Sequence, residues 1–155
     1  MRDLQAQHGF TGAEIETITV TATPRMVERH NIAEPADLML AQYSIPFSVA
    51  LALCREARDP GSWDETALAD PQIRALCRRV RLVPEPNGEH GGTITIALAD
   101  GRRLERRAES GMLEPGELAD KFLRLTRASL GQRPAAALFE RLQRLEEEES
   151  LDWLT

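Results

Sequence analysis

From Ser44 to Cys54 the only polar side chain past the start is Ser48, and apolar residues fall on every face of the helix that this run predicts. A helix that is apolar all round has to be covered on several sides, so residues 41–54 are the segment the rest of the chain wraps. Ser44 is placed to cap it by accepting from the Phe47 backbone N–H, and Pro46 has no N–H to strand in the first turn; the helix should start near residue 44. Burying Ile45, Phe47, Val49, Leu51 and Leu53 contributes on the order of 1.5–3 kcal/mol each before chain ordering is counted. The run is too short for a bilayer, which takes about 20 apolar residues.

Elsewhere the pattern switches period. Residues 1–9 read as a helix end closed by Gly9, and 11–14 as a turn. Residues 15–22 are β-branched, with Ile18, Val20 and Ala22 on one face and threonines on the other, which predicts a strand with one wet face. Residues 23–40, with Pro24, Asn31 and Pro35, read as a long connection with one helical turn at most. The core helix should end before Asp59-Pro60-Gly61, and Trp63 to Leu68 suggest a short helix. Asp70-Pro71 is a helix start, and Ile73, Leu76, Cys77 and Val80 form its apolar stripe. Val80 to Val83 continue as a strand, followed by a polar loop through Asn87-Gly88. Thr93 to Leu98 alternate strictly, and Asp100-Gly101 is a two-residue hairpin signal leading into 102–107. Gly111 and Glu114-Pro115-Gly116-Glu117 introduce a helix with Leu118, Phe122 and Leu125 buried; a last helix carries Leu138, Leu142 and Leu145. The order predicts an α+β domain over residues 1–145, with a small, mostly antiparallel sheet of about four strands covered by helices, and an acidic tail over 146–155.

Composition narrows the function classes. The net charge is −6, and the basic residues are all arginine except Lys121, a balance with no general affinity for nucleic acid or anionic membrane. Arg102, Arg103, Arg106 and Arg107 cluster on one predicted strand but lack an aromatic stacking platform. Cys54 and Cys77 sit in predicted helices without a CxxC or a Cys/His cluster, as expected of small buried hydrophobes in a reducing compartment. The N-terminus has no apolar signal-peptide core, so a cytoplasmic location is expected. His8, His30 and His90 are scattered, no two at metal-ligand spacing, and neither a metal nor a cofactor is expected. Gly88, Gly91 and Gly92 join two strands, not a strand and a helix, so they do not make a phosphate loop. Lys121 is either a tunable ammonium or a solvated residue beside Phe122. From the residues alone the chain is a domain without self-contained catalysis.

Several segments in register resemble one family. Residues 41–53, Ala-Gln-Tyr-Ser-Ile-Pro-Phe-Ser-Val-Ala-Leu-Ala-Leu, are similar to the A-K/Q-F-S-L-P-Y-x-V-A-x-A-L segment of the MmgE/PrpD family, which includes 2-methylcitrate dehydratase and cis-aconitate decarboxylase. Ile15 to Val20, Asp70-Pro71-Gln72-Ile73, Arg79-Val80, Asp100-Gly101-Arg102 and Glu117 to Phe122 resemble further segments in the same order. The resemblance implies the smaller α+β lid of a two-domain enzyme. The large helical domain of such enzymes carries most catalytic His, Asp and Lys residues and the dimer contacts. The family's Lys-Pro-Tyr segment and nearby His fall before the matched region, so they cannot be carried over to this chain.

The implied chemistry is removal of water or CO2 from small di- and tricarboxylates, or their isomerisation, generally without metal. It works by proton transfer at a carbon next to a carboxylate, which needs a base and a cationic or hydrogen-bonding clamp. The expected partners are a small carboxylate substrate and an all-helical domain or subunit; a homo-oligomer is left open. Where many members have Tyr after the Pro, this chain has Phe47, and Tyr43 occupies the family's Phe position. The resemblance implies Gln42, Tyr43, Ser44 and Phe47 as substrate-lining residues at the lid's inner edge. The alternative is a non-catalytic binding module of the same fold, whose terminal Leu151-Asp152-Trp153-Leu154 either docks on a partner or packs back on the domain's own helices.

Overall fold

The computed structural model of the chain describes residues 1–85, 92–107 and 115–154. Asn87-Gly88, His90-Gly91, Gly111 and Glu114, assigned above to a loop and a helix start, lie outside the described residues. The chain divides into two compact units, Met1–Ser110 and Gly111–Thr155.

The first unit is built on a four-stranded sheet of β1 (Ile15–Ala22), β2 (Val80–Pro84), β3 (Thr93–Leu98) and β4 (Arg103–Arg107), in the order β2-β1-β3-β4. β1 runs parallel to β2 and antiparallel to β3, and β3 is antiparallel to β4. The sheet is therefore mostly antiparallel, and its one parallel pair requires a crossover. Ile18 is paired with Val80 on one side and Ile96 on the other, at the centre of the core. A register shift between Ile15 and Thr17 lets Ile15 and Ile18, of opposite parity, both point into that core. The threonine face is drier than its composition predicts: Thr95 is buried and Thr17, Thr19, Thr21 and Thr93 are half-buried. These threonines lie on the two inner strands, where cross-strand neighbours crowd them. At Gly92 a Cβ would strike the Thr21 carbonyl, which explains a glycine immediately before β3.

Short helices fill the crossover: α2 (Pro24–His30), α3 (Leu38–Tyr43), α4 (Ile45–Cys54), α5 (Glu65–Ala69) and α6 (Pro71–Cys77), with α1 (Arg2–His8) before the sheet. Each crossover helix begins on a side chain that accepts a backbone N–H. Thr23 takes Met26, Asp37 takes Leu40, Ser44 takes Phe47, Asp64 takes Ala67, and Asp70 takes Gln72 and Ile73. The 23–40 stretch is thus not a plain connection with one helical turn. Thr23-Pro24 and Asp37 are the same start signals as Asp70-Pro71, and they set α2 and α3. α4 is the core helix, with Pro46, Phe47, Val49, Ala50 and Leu51 buried, and it packs on α6.

In the second unit α7 (Pro115–Leu130) and α8 (Gln132–Leu142) pack against each other, joined at Gly131 with φ 84°. Phe122 meets Phe139 at 5.1 Å between ring centroids. Leu118 and Leu125, expected to be buried, are exposed, and the half-buried positions of α7 are Ala119, Phe122, Leu123, Arg124 and Thr126. The face turned to α8 is therefore rotated from the leucine stripe. Leu145, expected to continue the last helix, is exposed in a separate 3-10 turn, because α8 ends at Leu142. Lys121 is exposed. The acidic tail folds back: Glu148 accepts from Arg141 Nε and Nη2 at 2.5 and 2.6 Å, and the Arg141 guanidinium lies 4.0 Å over the Trp153 ring.

Two outcomes follow. Asp70→Ala should lower the stability of the first unit by about 1 kcal/mol in urea unfolding, the ordinary cost of an N-cap whose loss leaves no other buried group unpaired. In the second unit, hydrogen bonds from Arg141 hold the Glu148 carboxyl below its usual value. Its contribution is therefore present above the unfolded carboxyl range and lost as the pH falls through the lowered value. With Trp63→Phe removing the other tryptophan, Trp153 emission should change over that acid range, and Glu148→Gln should show the changed emission already at neutral pH.

Candidate functional site

The candidate site is the junction where α3 ends and α4 begins. α3 starts on Asp37 and breaks at Ser44, whose extended backbone (φ −87°, ψ 115°) turns the chain before α4 starts. The Ser44 hydroxyl accepts from the Phe47 N–H at 2.9 Å and donates to the Ile32 carbonyl at 2.5 Å. Its carbonyl accepts from both the N–H and the hydroxyl of Ser48. Ser44 is 1% exposed, so this hydroxyl is committed to structure. Phe47, also 1% exposed, packs its ring against Trp63 at 5.8 Å.

The residues just before the break face outward. Gln42 is exposed, Tyr43 is 59% exposed, and Met39 and Leu40 on the same short helix are 69% and 38% exposed. The four residues expected to line a substrate therefore separate into two pairs. Gln42 and Tyr43 present polar groups to the outside, whereas Ser44 and Phe47 hold the junction from within.

His30 was treated above only as a possible metal ligand, yet the fold brings it to Tyr43. Its Nδ1 lies 2.8 Å from the Tyr43 carbonyl, which can only accept, so Nδ1 carries the proton and Nε2 is the remaining nitrogen. The two rings are parallel within 5°, with centroids 6.1 Å apart. An imidazole and a phenol side by side can bind or pass a proton to a polar ligand. Thirteen residues separate them, and no spacing rule in the sequence joins a helix end to a position that far along. Among the described residues no three His, Cys, Asp or Glu side chains converge as metal ligands.

Behind the junction, between residues 33–36 and α6, lies a cavity of about 250 Å³. Phe47, Leu68 and Cys77 line its buried side, and the exposed Arg74 and Arg78 stand at its edge. Burial pushes the Cys77 thiol up to about 11, so it stays neutral, and burial raises the Cys54 thiol as well.

Ser44→Ala should cost more than the half-buried cap at Asp70. It removes the cap of α4 and also leaves a half-buried Ile32 carbonyl without its donor, together about 2–3 kcal/mol in urea unfolding. A loss no larger than that of Asp70→Ala would show that Ile32 finds another donor.

The MmgE/PrpD C-terminal domain family model matches residues 1–147 of the chain. No curated protein matches it.

Proposed function

Because this chain belongs to the MmgE/PrpD family, as its C-terminal domain, we propose that it closes over the substrate of a lyase acting on small di- or tricarboxylic acids. The reaction is a dehydration, decarboxylation or isomerisation, with 2-methylcitrate as the first substrate to test. An all-helical N-terminal domain of the same family, on this polypeptide or another, supplies the base and most of the clamp. The observation that carries the reading is the family match over residues 1–147.

The junction supports it in chemical terms. The outward face of α3 joins apolar side chains, Met39 and Leu40, to the polar ends of Gln42 and Tyr43, as a surface meeting both a protein and a polar ligand requires. Gln42 and Tyr43 contact the substrate on this reading, with His30 fixing the Tyr43 backbone. Phe47 contributes through the wall of the cavity behind them, and Ser44 acts as a positioning residue. The free thiols Cys54 and Cys77 fit a cytoplasmic setting. No helix among the described residues is long and apolar enough to cross a membrane.

The test is reconstitution. A helical MmgE/PrpD domain, first sought in the neighbouring reading frame, is assayed for dehydration of 2-methylcitrate and for turnover of related acids, with and without this chain. The chain alone should give no turnover, and its addition should raise the rate over the helical domain alone. Tyr43→Ala should lower kcat/KM of the pair by on the order of tenfold, the scale of a lost positioning contact. No gain on mixing would count against the lid reading and favour a binding module.

A further inference from the structure

The cavity between residues 33–36 and α6 lies wholly within the unit Met1–Ser110, so the inference it carries needs no helical partner domain, and it shares only Phe47 with the site proposed above. We propose that it binds a small carboxylate with an aliphatic stem, the carboxylate held by Arg74 and Arg78 and the stem lying against Phe47, Leu68 and Cys77.

The shape and the charge of the cavity point the same way. Its volume of about 250 Å³ suits a small organic acid. Phe47, Leu68 and Cys77 are all buried, so one side is a dry hydrocarbon wall, and the Cys77 thiol adds no charge there. Arg74 and Arg78 lie four residues apart, on the same side of α6 and its C-terminal end. The Nε of Arg74 donates to the Leu68 carbonyl at 2.8 Å, which fixes the guanidinium. Its two terminal nitrogens make no hydrogen bond to the described residues, and a planar fork held in this way is preorganised for a carboxylate.

Among the described residues the Arg78 side chain is engaged only by Glu34, at 3.4 Å, and both side chains are more than half exposed. Such a pair is weak, and an incoming carboxylate can replace the Glu34 oxygen on Arg78. Counting Arg74, Arg78 and Glu34, the edge of the cavity carries a net charge of +1, which becomes +2 when Glu34 is neutralised. A bare inorganic anion would use the arginines alone and gain nothing from the apolar wall. An acid with a short hydrocarbon stem uses both.

The experiment is a titration of the isotopically labelled full chain, followed by amide shifts, with pentanoate as the probe. Pentanamide, acetate and inorganic phosphate serve as comparisons. Pentanoate should give saturable shifts around Phe47, Leu68, Arg74 and Cys77, with pentanamide and acetate each several-fold weaker. Arg74→Gln and Arg78→Gln should each weaken pentanoate binding about tenfold, the scale of one charged hydrogen bond. Glu34→Gln should tighten it, which a purely structural role for these residues would not produce. Equal shifts with pentanamide would overturn the arginine part, and equal binding of acetate or phosphate would overturn the stem part. Arg78→Gln and Glu34→Gln alter exposed side chains, so if Arg74→Gln perturbs the fold these two decide. Unchanged pentanoate binding in both would refute the proposal.

Discussion

A single buried hydroxyl ties the start of the loop after α2 to the start of α4: Ser44 donates to the Ile32 carbonyl and accepts from the Phe47 N–H. A buried N–H and a half-buried carbonyl are satisfied by one side chain, and the N–H would cost roughly 1–3 kcal/mol unpaired. Once α4 begins at that point, Pro46, Phe47, Ala50 and Leu51 enter the core and α6 packs beside them. The parallel β1–β2 pair then closes the crossover that these helices fill. Without the break at Ser44, α3 and α4 would run as one helix, and either Tyr43 or Phe47 would have to change its environment.

The crossover is held by punctuation more than by helix propensity. Its helices run from five to ten residues, lengths that are marginal in isolation, and every one opens on a Ser, Thr or Asp cap. Arginines act in the same way at other breaks. Arg79 donates to the carbonyls of Gly12 and Ile15 beside the irregular start of β1, Arg74 to Leu68, and Arg102 to His8 at the end of α1. A guanidinium has enough donors to cap several carbonyls while its stem covers apolar surface. This gives a structural use for a basic complement that is almost wholly arginine.

What was legible in the sequence was local. The Ser44 cap, the Asp70-Pro71 start, the alternation of β3 and a turn at Asp100-Gly101 each depend on neighbours within four residues and each is found, although the turn is a three-residue loop, 99–101, and not a two-residue one. The α2 helix is hidden in the sequence because Pro24 looks like a break, although it follows a capping Thr23 and so starts a helix. Leu118 and Leu125 were misplaced for a different reason. Periodicity shows which residues of a helix share a face, but not which face its neighbour takes, and α8 meets α7 at Phe122, on the side where Ala119 and Leu123 are half-buried. The pairing of His30 with Tyr43 was invisible for the same reason, since it exists only after the crossover has folded.

The direction of the break at Ser44 has a functional consequence. In α3 only Ala41 is buried, while Met39, Leu40 and Tyr43 stay in water. Leaving each of them exposed forgoes about 1.5–3 kcal/mol that burial would contribute. A helix of six residues with so little buried surface is held by its Asp37 cap, by its covalent continuation into α4 and by the bond from His30 to the Tyr43 carbonyl. Those three attachments fix the backbone and leave the outward side chains unconstrained by packing. The arrangement suits a surface that meets something outside the unit, because the contact residues can change without disturbing the core. It also accounts for the exchange of aromatic types in this segment. Tyr43 stands where its hydroxyl reaches solvent, and Phe47 stands where a hydroxyl would enter the apolar packing around Trp63 and need a partner.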